Sequence, residues 1–254
     1  PGTRVAVLGD MALEPRYQGA GSSVVNPTKL DKPIDCLRAC DLEITGQAQG
    51  YRRDGKEDQA LLDSAVSAAK NADVVLLYLG HMRLPANQEK LLYAVAEVNP
   101  NLVVVVPGGS AVELPWVDQC KGLIHGYLSG QAGAGAMADL LTGAVNPSGK
   151  LAESFPIRYE DTPNHTYFPG RQRTAEYRES IYVGYRYYET VGKAVRFPFG
   201  FGLSYTTFAY SDLKATRDEV SFTITNTGKR AGGEITQVYL SAVNSGIFRP
   251  AREL

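Results

Sequence analysis

Strand-like and helix-like segments alternate from residue 1 to about residue 155, and this alternation constrains the fold more than any other feature of the chain. The strand-like segments are short apolar runs that end near Gly, Pro or Asp, as buried strands of a parallel sheet do. They are RVAVLG (4–9), LEIT (42–45), VVLLYLG (74–80), NLVVVVPGG (101–109) and GLIHGYLS (122–129). Parallel neighbours need long crossovers, which helices usually provide. The pattern therefore predicts an α/β fold: a three-layer α/β/α sandwich with a mostly parallel sheet.

Four segments between or after these strands have helical features. The clearest covers 56–73, in which apolar residues recur at spacings of three and four. A second is predicted to start at Pro85, which suits a first helical turn, and to end before Pro100. A third covers 131–145, and a weaker one follows Thr28 as its N-cap.

The character of the sequence changes after the last of these helices. Residues 156–206 are rich in Tyr, Phe, Gly and Pro without a helical period, which predicts an irregular extension held by aromatic contacts, with one or two hairpins. From residue 207 the pattern alternates with a period of two, as in the opening strands of a β-sandwich. Only about three strands fit before residue 254, whereas an immunoglobulin-like sandwich needs about seven. Unpaired strands of this kind could pair with a second copy of the chain, giving a homo-oligomer.

Charge and hydropathy exclude several classes of partner. The net charge is −1 and no basic cluster occurs, so neither nucleic acid nor an anionic membrane surface is a predicted partner. No apolar run approaches the roughly 18 residues of a membrane span. The chain enters a strand directly, without a signal peptide; the bacterial cytoplasm is favoured, but secretion stays open because a mature secreted chain would look the same.

Neither a metal nor a cofactor is predicted. Cys36 and Cys40 would share a helix face but lack His or carboxylate neighbours, so they and Cys120 are interpreted as core thiols. The glycines of RYQGAGSS (16–23) do not have the spacing of a nucleotide-binding motif. The small residues of 130–141 could hold an anion at a helix start, but close helix–sheet packing explains them as well and is favoured.

Several longer motifs resemble those of a known family. They are PRYQGAGSS (15–23), GQAGAGAMADLLTGAVNPSGKL (130–151), YRESIYVGYRYYE (177–189) and FPFGFGLSYTTF (197–208). Together they resemble the second domain of family 3 glycoside hydrolases, which include β-glucosidases and β-xylosidases. The tail resembles the start of the fibronectin-III-like domain that follows. The resemblance implies a six-stranded α/β sandwich over 1–206, an incomplete fibronectin-III-like domain over 207–254, and a (β/α)8 barrel as partner.

The resemblance also implies how catalytic groups are divided in such an enzyme. The aspartate nucleophile belongs to the barrel, and in many β-glucosidases the general acid/base is a glutamate on a loop after the strand matching VVLLYLG. That loop commonly carries Glu-Gly-any-Asp-Arg, yet here Gly80 is followed directly by His81. No Glu occurs between Asp73 and Glu89, and the role is not transferred to Glu89. We therefore assign no catalytic residue and expect the chain alone to be inactive.

Candidate substrate-binding residues lie after the first and third strands. They are Arg16, Tyr17, Gln18, His81 and Arg83. The resemblance places a loop facing the barrel's sugar site at 16–23, with Arg16 and Gln18 as hydrogen-bond donors, although a glycine-rich turn at a domain interface would look the same. The tyrosines of 177–188 could stack on a β-linked saccharide, but pinning this segment to a core is favoured.

Two other functions remain open on the sequence alone. One is a non-catalytic carbohydrate-binding or scaffold module. The other is a doubly wound domain of another class, such as a nucleotide binder, for which the phosphate-binding motifs are missing. His81 is interpreted as a surface-loop residue and His125 as a core histidine carried by a strand.

Overall fold

The computed structural model describes residues 2–81, 83–170 and 173–254. The chain divides into two compact units, Pro1–Asp139 and Leu140–Leu254. In the part of the chain that the structure describes, no helix has the length and apolarity needed to cross a membrane.

The first unit is built on a sheet of five parallel strands. They are β1 (Arg4–Leu8), β2 (Glu43–Ala48), β3 (Val74–Tyr78), β4 (Leu102–Pro107) and β5 (Gly122–Tyr127), in the order β2-β1-β3-β4-β5. The predicted α/β class with a parallel sheet is confirmed. The sixth strand that the resemblance implied is not part of this sheet among the described residues. The next strand, β6 (Phe155–Pro156), pairs instead with β7 (Val195–Phe197) in an antiparallel ladder of the second unit.

Five helices connect or follow these strands. They are α1 (Asp10–Leu13), α2 (Pro33–Arg38), α3 (Gln59–Lys70), α4 (Ala86–Val98) and α5 (Gly133–Thr142). The start of α3 is set by Asp58, whose side chain accepts a hydrogen bond from the Leu61 N–H at 3.1 Å. Helix α2 starts at Pro33 with Lys32 as its N-cap, so the predicted start after Thr28 is wrong. Proline lacks an N–H and has a fixed φ, which together favour it in the first helical turn.

The core of the first unit lies along the central strands. Every residue of β1 and β3 beyond the first is buried, as are most residues of β4, whereas β2 and β5 are partly exposed. Two strands buried along their length explain the near-continuous Val and Leu runs in the sequence. The edge strand β2 alternates between exposed and half-buried positions, which explains why its sequence signal is weaker.

The second unit combines short elements with aromatic contacts. Besides the β6–β7 pair it contains α6 (Tyr185–Thr190) and a hairpin of β8 (Phe208–Ala215) and β9 (Val220–Asn226). Tyr185 stacks on Phe199 at 5.0 Å between ring centroids and meets the edge of Tyr239 at 5.6 Å, as the pinning interpretation predicts. Helix α6 was not predicted, because its residues fit aromatic packing better than a helical period. Of the three sandwich strands expected, two form, and beyond them only an isolated bridge joins Leu240 to Glu253 among the described residues.

The buried carboxylate of Asp161, in the second unit, leads to a prediction about stability and pH. Asp161 is 7% exposed and lies 3.0 Å from Lys193 Nζ and 3.5 Å from Arg158 Nη2, and Lys193 above all holds the pKa of Asp161 below its ordinary value. Because the folded state lowers this pKa, the stabilisation is present above the ordinary Asp pKa of about 3.9 and is lost as pH falls through the folded value. We expect Asp161→Asn to cost about 1 kcal/mol at pH 7, since Lys193 is partly solvated. Denaturant unfolding at pH 7 and at pH 3 should show the difference shrinking in acid, with exposed Asp63→Asn as the matched control; equal losses at both pH values would contradict it.

Candidate functional site

The loops that follow the five parallel strands form one edge of the first unit, called the carboxyl edge here. It comprises residues 9–18, 49–58, 79–81, 83–85, 108–116 and 128–133. The chain passes from β1 outward to β2 and then back across β1 to β3, so the topological switch point lies between β1 and β3. Ligands of open α/β sheets bind at this edge, beside such a switch point. The carboxyl edge is therefore the candidate functional site.

The switch point itself is closed by tight contacts. Gly9 has a φ of 105°, and a Cβ there would lie 2.2 Å from the Tyr78 carbonyl oxygen, so only glycine fits. The Tyr51 hydroxyl donates to the same carbonyl at 3.1 Å, and burial raises the pKa of Tyr51. These contacts fix the ends of β1 and β3 against each other and leave no room for a ligand between them.

A small cavity opens beside the switch point, over the ends of β3, β4 and β5. Its volume is about 40 Å³, enough for a few atoms but not for a sugar ring. Its lining includes Met11, Arg16, Tyr17, Asp31, Ser129 and Met137. The cavity is therefore too small to enclose a saccharide by itself.

The loop after β1 is held in place by the loop after β5. The Gly130 N–H donates to the Tyr17 carbonyl at 2.9 Å. Gln18 donates from Nε2 to the Tyr17 hydroxyl at 2.7 Å and to the Val25 carbonyl at 3.0 Å, and it accepts from the Val25 N–H at 2.7 Å. Arg16 and Tyr17 therefore line the cavity, whereas Gln18 already uses its amide to shape the loop. A sugar-binding role for Arg16 and Tyr17 stays a prediction, and Gln18 would have to exchange partners to act as a donor to a sugar.

The end of β3 is defined by Gly80. Its N–H donates to Gln88 Oε1 at 3.0 Å, and a Cβ at this position would lie 2.5 Å from the Pro107 carbonyl and 2.8 Å from Met11 Sδ. Residues 81–85 then lead to α4 without a carboxylate. His81 is exposed, as predicted, and the Nε atom of Arg83 lies 3.6 Å from Glu113 Oε2, on the loop after β4. This connection brings two basic side chains to the carboxyl edge but no carboxyl group.

Three other sequence interpretations can be compared with the structure. His125 is half-buried on β5 with its ring edge-on to Tyr127, and burial lowers its pKa to about 4, which keeps it neutral at pH 7. The thiols of the three cysteines are free, but they are half-buried and so are not fully in the core. At the start of α5, a Cβ on Gly133 would lie 1.8 Å from Ser129 Oγ, so close packing accounts for this glycine.

Two buried polar residues of the site were missed at the level of sequence. Asn87 and Gln88 are 7% and 2% exposed at the start of α4. Gln88 precedes Leu91 and Leu92 by three and four residues, so it lies on the apolar face of the predicted helix. A lone amide on such a face was the available signal, because a buried amide requires a hydrogen-bond partner.

The comparisons with known proteins agree with this architecture. The family model for the glycosyl hydrolase family 3 C-terminal domain matches residues 1–205, so the chain belongs to this family. The chain is 42% identical to thermostable β-glucosidase B of Acetivibrio thermocellus, over 98% of this chain and 36% of that protein. It is 41% identical to exo-α-(1→6)-L-arabinopyranosidase of Bifidobacterium breve, over 99% of this chain and 36% of that protein.

A solved structure superposes on nearly the whole chain. The crystal structure of a family 3 β-glucosidase from Bifidobacterium adolescentis has a TM-score of 0.92 and 40% sequence identity, covering 99% of this chain and 40% of that chain. The chain therefore spans well under half the length of the relatives it matches. The alignment with the A. thermocellus enzyme runs over 274 positions against 254 residues here, so at least 20 positions of that relative have no counterpart in this chain.

Proposed function

We propose that this chain is the part of a β-glucosidase-type glycosidase that completes the active site beside a (β/α)8 barrel. The observation that carries the proposal is the similarity to β-glucosidases along the whole chain, 42% in sequence and a TM-score of 0.92 in structure. The position of the candidate site supports it, since the carboxyl edge gathers the five loops that would face a partner domain. The proposed substrates are β-linked glucosides or related oligosaccharides.

The identity of the sugar is less constrained than the class of enzyme. Two relatives that are 42% and 41% identical to the chain carry different names, a β-glucosidase and an α-L-arabinopyranosidase. Relatives that are almost equally similar in this region thus differ in the sugar they are named for. We infer that this domain contributes binding groups around the substrate, with Arg16, Tyr17, His81 and Arg83 as candidates, and that the barrel selects the sugar.

In this proposal, residues 81–85 provide no carboxyl group that could act as the general acid. Retaining hydrolysis uses two carboxyl groups about 5–5.5 Å apart, of which one attacks the anomeric carbon and the other protonates the leaving oxygen. Residues 81–85 carry no carboxyl group where the family places its acid/base. The absence of counterparts for at least 20 positions of one relative is consistent with a shortened loop at this place.

We also propose that residues 207–254 belong to a separate fibronectin-III-like sandwich. Support comes from the β8–β9 hairpin and from the apolar side chains it exposes, such as Leu213 at 72% and Tyr210 at 51%. An isolated hairpin is marginally stable, so further strands or a second copy of the chain would be needed to cover this face. Sedimentation at several concentrations distinguishes a self-associating chain from a monomer.

The proposed function is tested by supplying the barrel in trans. We expect no hydrolysis of dinitrophenyl β-glucoside by the chain alone, and measurable hydrolysis when the barrel domain of a family 3 β-glucosidase is added. A dinitrophenolate leaves without protonation, so its release reports on assembly and on attack by the nucleophile, and this first step does not need the acid. The barrel alone is the control.

Two outcomes would contradict this proposal. Turnover by the chain alone would place complete catalytic machinery within the 254 residues. No gain over the barrel alone, combined with calorimetric binding of cello-oligosaccharide by the chain, would favour a carbohydrate-binding module instead.

A further inference from the structure

Helix α4 begins with two adjacent amide side chains that are almost completely buried. Asn87 is 7% exposed and Gln88 is 2% exposed. Burying an amide is unfavourable unless its hydrogen bonds are made, so the partners of these two side chains indicate what they do. Both amides bind backbone groups of the carboxyl edge, and they bind different loops.

The Gln88 side chain provides a hydrogen-bond acceptor at the point where the β-ladder of β3 ends. The Leu79 N–H donates to the Val105 carbonyl at 3.0 Å and is the last ladder bond of this strand toward β4. The next N–H, that of Gly80, is buried and lies beyond the end of β1. It donates to Gln88 Oε1 at 3.0 Å. The side chain therefore supplies the acceptor that a neighbouring strand would otherwise provide, and it fixes the point where the chain leaves the sheet.

Asn87 holds the loop after β2. Its Nδ2 atom donates to the Arg52 carbonyl at 2.8 Å and to the Lys56 carbonyl at 3.1 Å. Two carbonyl acceptors determine the orientation of the amide, because the oxygen could not replace the nitrogen in either bond. The same loop carries Arg53, which donates to the Asp10 carboxylate and to the Glu14 carbonyl.

These bonds form a connected series along the carboxyl edge. It runs from Gln88 and Asn87 to the loop after β2, and through Arg53 to Asp10 and Glu14 in the segment that precedes Arg16. Both groups of predicted binding residues, those after β1 and those after β3, are thus anchored to the first turn of one helix. Gln49 adds a further link between these loops, since its Nε2 atom donates to Asp10 Oδ1 at 3.1 Å and so joins the loop after β2 directly to the loop after β1.

We propose that Asn87 and Gln88 are positioning residues that set the relative placement of the carboxyl-edge loops. Gln88 fixes the start of the segment that carries His81 and Arg83, and Asn87 fixes the loop that supports the segment carrying Arg16. Their catalytic relevance rests on the proposed function, since these loops would then face the barrel. The placement itself is a property of this chain and can be measured without a partner.

The test compares two substitutions of the same residue. Gln88→Met has a similar length but no acceptor, whereas Gln88→Glu keeps an acceptor oxygen at the same reach. We expect the Gly80 amide of the isolated chain to exchange with solvent about tenfold faster or more in Gln88→Met, relative to amides of β4, and to stay near its wild-type rate in Gln88→Glu. Gln59→Met, at an exposed position in the first turn of α3, is the matched control and should change neither rate.

A second readout reports on positioning in the assembled enzyme. With the barrel added, we expect Gln88→Met to lower kcat/KM for dinitrophenyl β-glucoside about tenfold and Gln88→Glu to restore it. Unchanged Gly80 exchange in Gln88→Met overturns the proposal, as does equal loss of activity in both Gln88 variants when Gln88→Glu keeps the wild-type exchange rate. If Gln88→Met does not fold, Asn87→Ser decides: faster exchange confined to residues 52–58 supports the proposal, and unchanged exchange there overturns it. If the wild-type chain and the barrel together show no turnover, only the proposed function is overturned. The exchange rates then decide whether Asn87 and Gln88 are positioning residues.

Discussion

Hydrolysis of an alkyl β-glucoside should rise by about 10²–10⁴-fold when a loop carrying a glutamate is inserted between Gly80 and His81 of the barrel-assembled chain. An alkoxide leaves poorly unless it is protonated, so this substrate depends on the general acid that residues 81–85 do not provide. The insertion supplies a carboxyl group at the place where the family carries its acid/base. Initial rates with methyl β-glucoside, before and after insertion, measure the gain.

The junction is suited to an insertion because both sides are anchored independently. Gly80 is held by Gln88, and downstream Leu84 is buried at 5% exposure, while His81 is exposed. A flexible loop closes at a small cost, about 0.6 kcal/mol for each doubling of its length. The fold should therefore survive a dozen added residues, as circular dichroism would show.

Two controls separate acid catalysis from a general effect of the loop. The same loop with glutamine in place of its glutamate should give no gain with methyl β-glucoside. The kcat/KM for dinitrophenyl β-glucoside, which reports formation of the glycosyl–enzyme and whose leaving group needs no proton, should respond much less to either loop. Equal gains from both loops would show that the insertion acts through binding or packing, and that a missing acid does not limit the reaction.

Trp116→Ala should destabilise the chain by about 3–5 kcal/mol, the largest effect expected from a single substitution. Trp116 is fully buried in the loop after β4, where Val112 and Leu114 are buried at 1% and 2% exposure. Its removal leaves a cavity that this short, well-packed loop cannot fill by collapsing. Denaturant unfolding, analysed for the transition of the first unit, measures the loss.

Trp116→Phe is the matched control, because it keeps an aromatic ring and removes the indole N–H. That N–H is buried without a hydrogen-bond partner among the described residues, so its loss costs no hydrogen bond. The phenylalanine variant should lose clearly less stability than the alanine variant. Similar losses in the two variants would indicate that the indole nitrogen has a partner, and that cavity formation is not the dominant cost.

Local patterns were sufficient for the five strands of the parallel sheet and for the longest helices. The apolar spacing over 56–73 predicted a helix that the structure places at Gln59–Lys70, capped by Asp58. Such an element depends on residues a few positions apart, so its signal lies within one stretch of chain. The start of α2 and helix α6 were missed because a proline-initiated turn and a tyrosine-rich helix have weak local signals.

The functional interpretation of the sequence depended on motifs and on the short connection between Gly80 and α4. The junction of Gly80 and His81 is visible in the letters alone, and so is the absence of a carboxyl group after β3. The sequence did not show that the Gln18 amide hydrogen-bonds to Tyr17 and Val25, or that Gln88 accepts a hydrogen bond from the Gly80 N–H. Those bonds join residues on separate segments, and their geometry depends on how strands and helices pack.

By itself, the sequence determined the α/β class, the family and the absence of a carboxyl group from residues 81–85, because each follows from the order and type of neighbouring residues. Only the tertiary structure decided that the sheet has five strands, that the switch point is closed by Gly9 against Tyr78, and that Asn87 and Gln88 connect the carboxyl-edge loops. The physical reason is that ladder pairing and buried hydrogen bonds are satisfied between segments far apart in the chain, and which partners meet is settled only when the whole unit packs.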